Sequence, residues 1–155
     1  MAVRQIVPHT DSFIRKHSKP VKVFDEKLWE LLDDMWASLE EKQGAGLSAV
    51  QVGVLKRVFI ININGMRVEF INPQIIKQSG EQYKKEGCLS VALPFNYVKR
   101  PYKVTVCAFD RYGNEFSLTC EDWTAVCICH ENDHLDGILY IDKICVPPKG
   151  LAEDE

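Results

Sequence analysis

His130-Glu131-Asn132-Asp133-His134 brings two imidazoles and a carboxylate into one short stretch of chain. On an α-helix, residues 130 and 134 project from the same face about 6 Å apart along the axis. Two neutral ring nitrogens so placed can reach one metal ion at ~2.0–2.1 Å. Glu131 is offset around the helix, close enough to exchange a proton with a water on that ion without being an obvious ligand. This H-E-x-x-H spacing is a hydrolase signature, although the same residues also suit two core histidines around a solvated glutamate. The third ligand sets the class of site. Continuing the frame reaches Gly137 and then puts Tyr140 where one metalloprotease group has its third histidine, and no histidine follows His134. After Tyr140 the only acidic residues are Asp142 and the terminal Glu153-Asp154-Glu155. The missing donor is therefore expected upstream, and a thiolate is a strong candidate.

Of the six cysteines, Cys88 stands apart. It lies in Glu86-Gly87-Cys88-Leu89-Ser90, where Gly87 lets backbone approach a ligand and no alternating apolar pattern explains a thiol. Cys107 continues a strand pattern and Cys120 ends one, while Cys145 has no suggested partner. Cys127 and Cys129 diverge by about 200° on a helix and cannot form a pincer. These five read as small apolar residues. A third segment, Gly44-Ala45-Gly46-Leu47-Ser48-Ala49-Val50-Gln51, combines glycines with small residues. It suits either a tight loop or a backbone that a ligand approaches.

The elements that must position these groups follow from periodicity. Leu28, Leu31, Leu32, Met35, Trp36 and Leu39 recur at helical spacing from about 25 to 42, with Asp25 as cap and Gly44 as stop. Residues 58–63 and 66–71 flank Asn64-Gly65 and predict a hairpin. Residues 74–78 and 82–85 suggest a second pair around Ser79-Gly80. Residues 102–110 and 115–121, about Tyr112-Gly113-Asn114, suggest a third. The last helix is expected from about Trp123 to Asp136, capped by Asp122 and stopped by Gly137. The fold class is α+β: antiparallel hairpins packed around a C-terminal helix that carries H-E-x-x-H, with an N-terminal amphipathic helix.

The 155 residues, 46% hydrophobic and 26% charged, predict a single domain over 1–155, the one that would carry the catalytic groups above, and exclude a disordered chain. No apolar run approaches the ~18–20 residues of a membrane span. The start of the chain lacks the apolar core of a secretory signal, which points to the cytoplasm and to thiols that are free or metal-bound. A net charge of −3 offers no general field for nucleic acid.

Taken in order, GAGLSAVQ (44–51), EGCLS (86–90) and HENDHLDG (130–137) resemble the three motifs of the peptide deformylases. The resemblance spans about Ile14 to Ile144. It implies removal of the formyl group from the N-terminal formyl-methionine of nascent polypeptides, giving formate and a free amine. It also implies Cys88, His130 and His134 as metal ligands, Glu131 as general base, and Gln51 and Leu89 as holders of the developing oxyanion. The family's usual metal is Fe(II), with zinc, nickel or cobalt able to occupy the site; a thiolate with two imidazoles does not choose among them. A bound divalent metal lowers the pKa of its water to roughly 7 in the zinc case, which supplies the nucleophile.

Trp123, Val126 and Cys127 stand on the helical face leading to His130 and are expected to line a methionine pocket, with Ala45 opposite. The substrate backbone is expected to lie extended between the Gly44–Gly46 loop and Glu86-Gly87. That mode reads few side chains beyond the first and predicts broad tolerance downstream. Departures from the family pattern stand at Gln43, Ala92, Phe95 and Cys129, which bear on the outer groove rather than the metal ligands. Arg100 is expected to pair with Asp133. The short stretch after Ile144 leaves out the long C-terminal helix of many bacterial members, as in phage-encoded forms, and bears on docking at the ribosome. A monomer is the default for this size. The rival functions are a short metallopeptidase and an inactive module that grips N-terminal peptides.

Overall fold

The computed structural model describes residues 1–151. In chain order the elements are α1 (Glu26–Lys42), β1 (Gly46–Ser48), β2 (Val58–Ile63), β3 (Met66–Ser79), β4 (Gln82–Cys88), β5 (Val91–Arg100), β6 (Lys103–Phe109), β7 (Glu115–Glu121) and α2 (Asp122–His134). Single turns of 3-10 helix occur at Ser12–Arg15, Ala49–Val52 and Tyr140–Asp142.

α1 begins where Asp25 accepts the Leu28 N–H at 3.2 Å, satisfying one of the amides that a helix start leaves orphaned. It ends at Gln43, in the left-handed region at φ 54°, one residue before the glycine expected to stop it. Its buried face, Leu28, Leu31, Leu32, Met35 and Leu39, packs on Leu47, Ala49, Val58, Ile60 and Ile71. Trp36 is only half-buried, because its indole N–H reaches out to donate to Glu69 Oε2 at 2.7 Å.

The main sheet is antiparallel in the order β1-β2-β3-β6-β7. Asn64 and Gly65 both take positive φ in the β2–β3 turn, as expected for a two-residue hairpin loop of this composition. The strands expected separately at 66–71 and 74–78 are one bent strand, β3. A register shift between Ile71 and Gln74 makes the bend. Asn72, at φ 52°, holds it by accepting the Val21 N–H and donating to the Val21 carbonyl. The expected pairing of 74–78 with 82–85 does not form. β3 pairs with β6 instead, and β4 pairs with β5 in a separate two-stranded sheet. β5 has no sequence signature of a strand: Pro94 interrupts it, and residues 92–95 are all exposed.

α2 lies between the main sheet and β5. Ala125, Ile128 and Leu135 join Phe59, Ile61, Phe70, Val104 and Val106 in a second core cluster. The helix starts with Asp122 at φ 57° as its first residue rather than its cap, and Glu121 takes the cap position. It ends at His134, two residues earlier than expected. Gly137 at φ 73° then turns the chain so tightly that a Cβ there would sit 2.3 Å from the Arg15 carbonyl oxygen. Among the described residues, no helix is long and apolar enough to cross a membrane.

Candidate metal centre

β4 and α2 converge on one point. Cys88 closes β4, and its Sγ lies 3.4 Å from His134 Nε2; the two Nε2 atoms of His130 and His134 are 3.3 Å apart. All three donor atoms fall within 4.8 Å of one another. Nitrogens at ~2.0–2.1 Å around a tetrahedral ion are separated by about 3.3 Å, so the spacing suits one cation. The chemistry of the donors fits as well. One sulfur and two ring nitrogens face one another, a donor set that suits a borderline-soft divalent cation.

The orientation of His130 is fixed from behind. Its Nδ1 lies 2.9 Å from Glu86 Oε1, so the ring proton sits there and the Nε2 lone pair faces Cys88 and His134. Arg100 grips both oxygens of Glu86, from Nε at 2.8 Å and Nη2 at 2.9 Å, and donates from Nη1 to Asp133 Oδ2 at 2.6 Å. Burial pushes the Glu86 carboxyl up, but the bonds from Arg100 and His130 prevail and hold it below its usual range. Burial pushes the His134 pKa well down, so that ring is neutral. Its Nδ1 is buried without a partner.

Glu86, expected along the substrate groove, does line the cavity, yet its carboxylate turns inward to orient His130. Sequence reasoning missed this task. The signal was there: Glu86 and Cys88 stand two apart in a strand, and alternation puts such residues on one face. The expected Arg100–Asp133 contact is present.

Glu131 is almost wholly buried. Burial raises its pKa, and neighbouring His130 and the Ser48 hydroxyl offset only part of that rise. Ser48 Oγ lies 2.9 Å from both Glu131 Oε1 and the Glu131 carbonyl oxygen. On the other side, a Cβ on Gly46 would stand 2.7 Å from Glu131 Oε2, so only glycine leaves the carboxylate its place. Gln51 is held by the Ser48 N–H, which donates to Oε1 at 2.9 Å. Its Nε2 donates to Ser90 Oγ at 3.0 Å and lies 3.5 Å from Cys88 Sγ. Ser48 and Ser90 thus support Glu131 and Gln51 beside the ligands, and nothing in their spacing singled them out.

A cavity of about 360 Å³ opens onto this centre. Ala45, Gly46, Gly87, Leu89, Trp123, Val126 and Cys127 line it together with Gln51, Cys88, His130 and Glu131. Val126 and Cys127 are buried, and burial pushes the Cys127 thiol up so that it stays protonated. Trp123, 40% exposed, stands at the rim. The segment from Gly44 is more ordered than a tight loop: residues 46–48 pair with β2 as its edge strand.

The family model for polypeptide deformylase matches residues 3–148. The chain belongs to this family. A peptide deformylase of Caldicellulosiruptor bescii is 49% identical over 144 residues, covering 93% of this chain and 87% of its own length. One from Acetivibrio thermocellus is 48% identical over the whole of this chain and 89% of its own. Among solved structures, the Thermotoga maritima peptide deformylase superposes with a TM-score of 0.91 at 32% identity, covering 94% of this chain and all of that one. The match therefore reaches beyond the Ile14–Ile144 span over which the motifs and hairpins are read from sequence.

Proposed function

We propose that this deformylase removes the formyl group from the N-terminal formyl-methionine of nascent polypeptides, with Cys88, His130 and His134 as metal ligands and Glu131 as general base. The observation that carries the reading is the meeting of Cys88 Sγ with both Nε2 atoms beside a buried carboxylate, at the end of an apolar cavity. Bound there, a divalent metal supplies Lewis acidity and water acidic enough to attack an amide near neutral pH. Fe(II) is the proposed native ion, and zinc, nickel or cobalt suit the same thiolate and imidazoles.

The chain's own residues do the rest. Glu131 takes the proton of the attacking water and returns it to the departing amine. Its raised pKa suits a group that must accept a proton and then give it up. Gln51 Nε2–H and the Leu89 backbone N–H hold the formyl oxygen as it gains charge, which favours the transition state over the ground state. Trp123, Val126, Cys127 and Ala45 enclose the methionine side chain. β1 lies at the edge of its sheet and β4 pairs only with β5, which supports a substrate strand added between Gly46 and Gly87. The proposed partners are formyl-methionyl nascent peptides, met at the ribosome by a monomeric enzyme.

Protein purified without oxygen, assayed with formyl-Met-Ala-Ser beside Met-Ala-Ser and its acetylated form, tests the reading. Formate released from the first alone is the expected result. Internal cleavage would make the chain a peptidase, and binding without turnover would make it a peptide-gripping module.

A further inference from the structure

Phe95 is the most exposed large apolar side chain of the cavity wall, at 68%. It stands on β5, lines the cavity, and packs its ring against Gly87. A Cβ on that glycine would meet Phe95 Cε1, Cζ and Cδ1 at 2.4, 2.5 and 2.8 Å. Gly87 therefore gives the ring a seat beside the strand edge along which a bound peptide would run. Trp123 rims the same cavity and is also exposed. Among the described residues no lysine or arginine lines this cavity, and its two carboxylates are buried and engaged, Glu86 by Arg100 and His130, Glu131 by Ser48. The mouth thus offers a wet aromatic surface and no charge to meet a charged substrate side chain.

We propose that Phe95 is a specificity-determining residue. It favours formyl-methionyl peptides carrying an apolar, above all aromatic, side chain at the second or third residue, and disfavours acidic ones. This rests on the deformylase reading above. A side chain leaving the cavity past Gly87 covers the exposed ring, and an aromatic partner adds an edge or offset-stacked contact. A carboxylate there would lose water without gaining a cation. Because the contact lies away from the reacting amide, it is made equally in ground state and transition state, so the discrimination sits in KM rather than kcat. It grades the broad tolerance expected of backbone recognition without abolishing it.

The test compares formyl-Met-Xaa-Ser and formyl-Met-Ala-Xaa peptides with Xaa as Phe, Leu, Ser or Asp, each enzyme serving as its own reference. In the parent enzyme, kcat/KM for Phe over Asp should be about three- to tenfold at one of the two positions, carried by KM. Phe95→Ala should bring that ratio below about twofold, and Phe95→Arg should invert it in favour of Asp, a reversal that mere loosening of β5 would not produce. A parent enzyme that releases formate without this ratio, or a ratio unchanged in Phe95→Ala, overturns the role of Phe95 and leaves deformylation standing. No formate from any formyl peptide overturns both.

Discussion

At Glu131 the surroundings are as informative as the residue. Gly46 on one side and Ser48 on the other leave its carboxylate a single position, in which Oε2 stands 4.0 Å from His130 Nε2. Glu131→Gln keeps that shape and removes the proton acceptor. It should retain metal and lose about a hundred- to ten-thousand-fold in kcat, measured as formate release. Gly46→Ala tests the same point from outside the helix. Its methyl group should displace the carboxylate and lower kcat with little change in metal content. Gln51→Ala removes one donor to the developing oxyanion, for which about 2.7–4 kcal/mol of transition-state stabilisation is expected to disappear while metal content stays constant. Unchanged turnover would take Gln51 out of the mechanism. The types and spacing of these residues were legible in the sequence because helical and strand periods fix which side chains share a face. Ser48, Ser90 and the inward turn of Glu86 were not, since each depends on contacts across some 40 to 80 residues of chain.

At the scale of elements, α2 is held by charge as much as by its apolar side. Arg100 from β5 ties Glu86 on β4 to Asp133 on α2, so one guanidinium, only 3% exposed, joins both ligand-bearing elements. Arg100→Leu leaves two carboxylates without that partner, and Glu86 is the one His130 depends on. Metal affinity should fall about 10- to 100-fold, read by chelator competition. Loss of the buried pair should cost about 3–5 kcal/mol of stability, read by urea unfolding. Unaltered metal affinity would refute the positioning role. The Arg100–Asp133 contact was readable from sequence, whereas the strand that carries Arg100 was not. β5 lacks alternation because its middle is exposed on both faces, and Pro94 argues against a strand. Likewise β3 reads as two strands because Asn72-Pro73 looks like a break. The side chain of Asn72 bonds a distant backbone segment and turns the break into a bend.

Over the whole molecule, segments far apart in sequence close around the site. Arg15 donates to the Gly137 carbonyl at 3.0 Å and pairs with Asp142, which anchors the chain leaving α2 to the N-terminal segment. The hydrogen bond from Arg15 holds the Asp142 carboxyl below its usual value of 3.8, against the opposing push of burial. A carboxylate whose pKa is lower folded than unfolded gives its full stabilisation above the unfolded value and loses it as pH falls through the folded one. Asp142→Asn should therefore lower Tm modestly at neutral pH, and the gap to the parent should narrow as pH falls below 3.8 and through the lower folded value. A gap independent of pH would mean that packing, not charge, secures this corner. Metal bound to the native state alone should raise Tm in proportion to the logarithm of its concentration over Kd, and chelation should reverse the rise.

The central claim is that one sulfur and two imidazoles share a single cation. X-ray absorption of the anaerobically metal-loaded protein tests it most directly. The account predicts one sulfur at about 2.3 Å and two imidazole nitrogens at about 2.0–2.1 Å, with the sulfur lost in Cys88→Ala. A first shell of nitrogen and oxygen alone, or a sulfur that persists in Cys88→Ala, would contradict it.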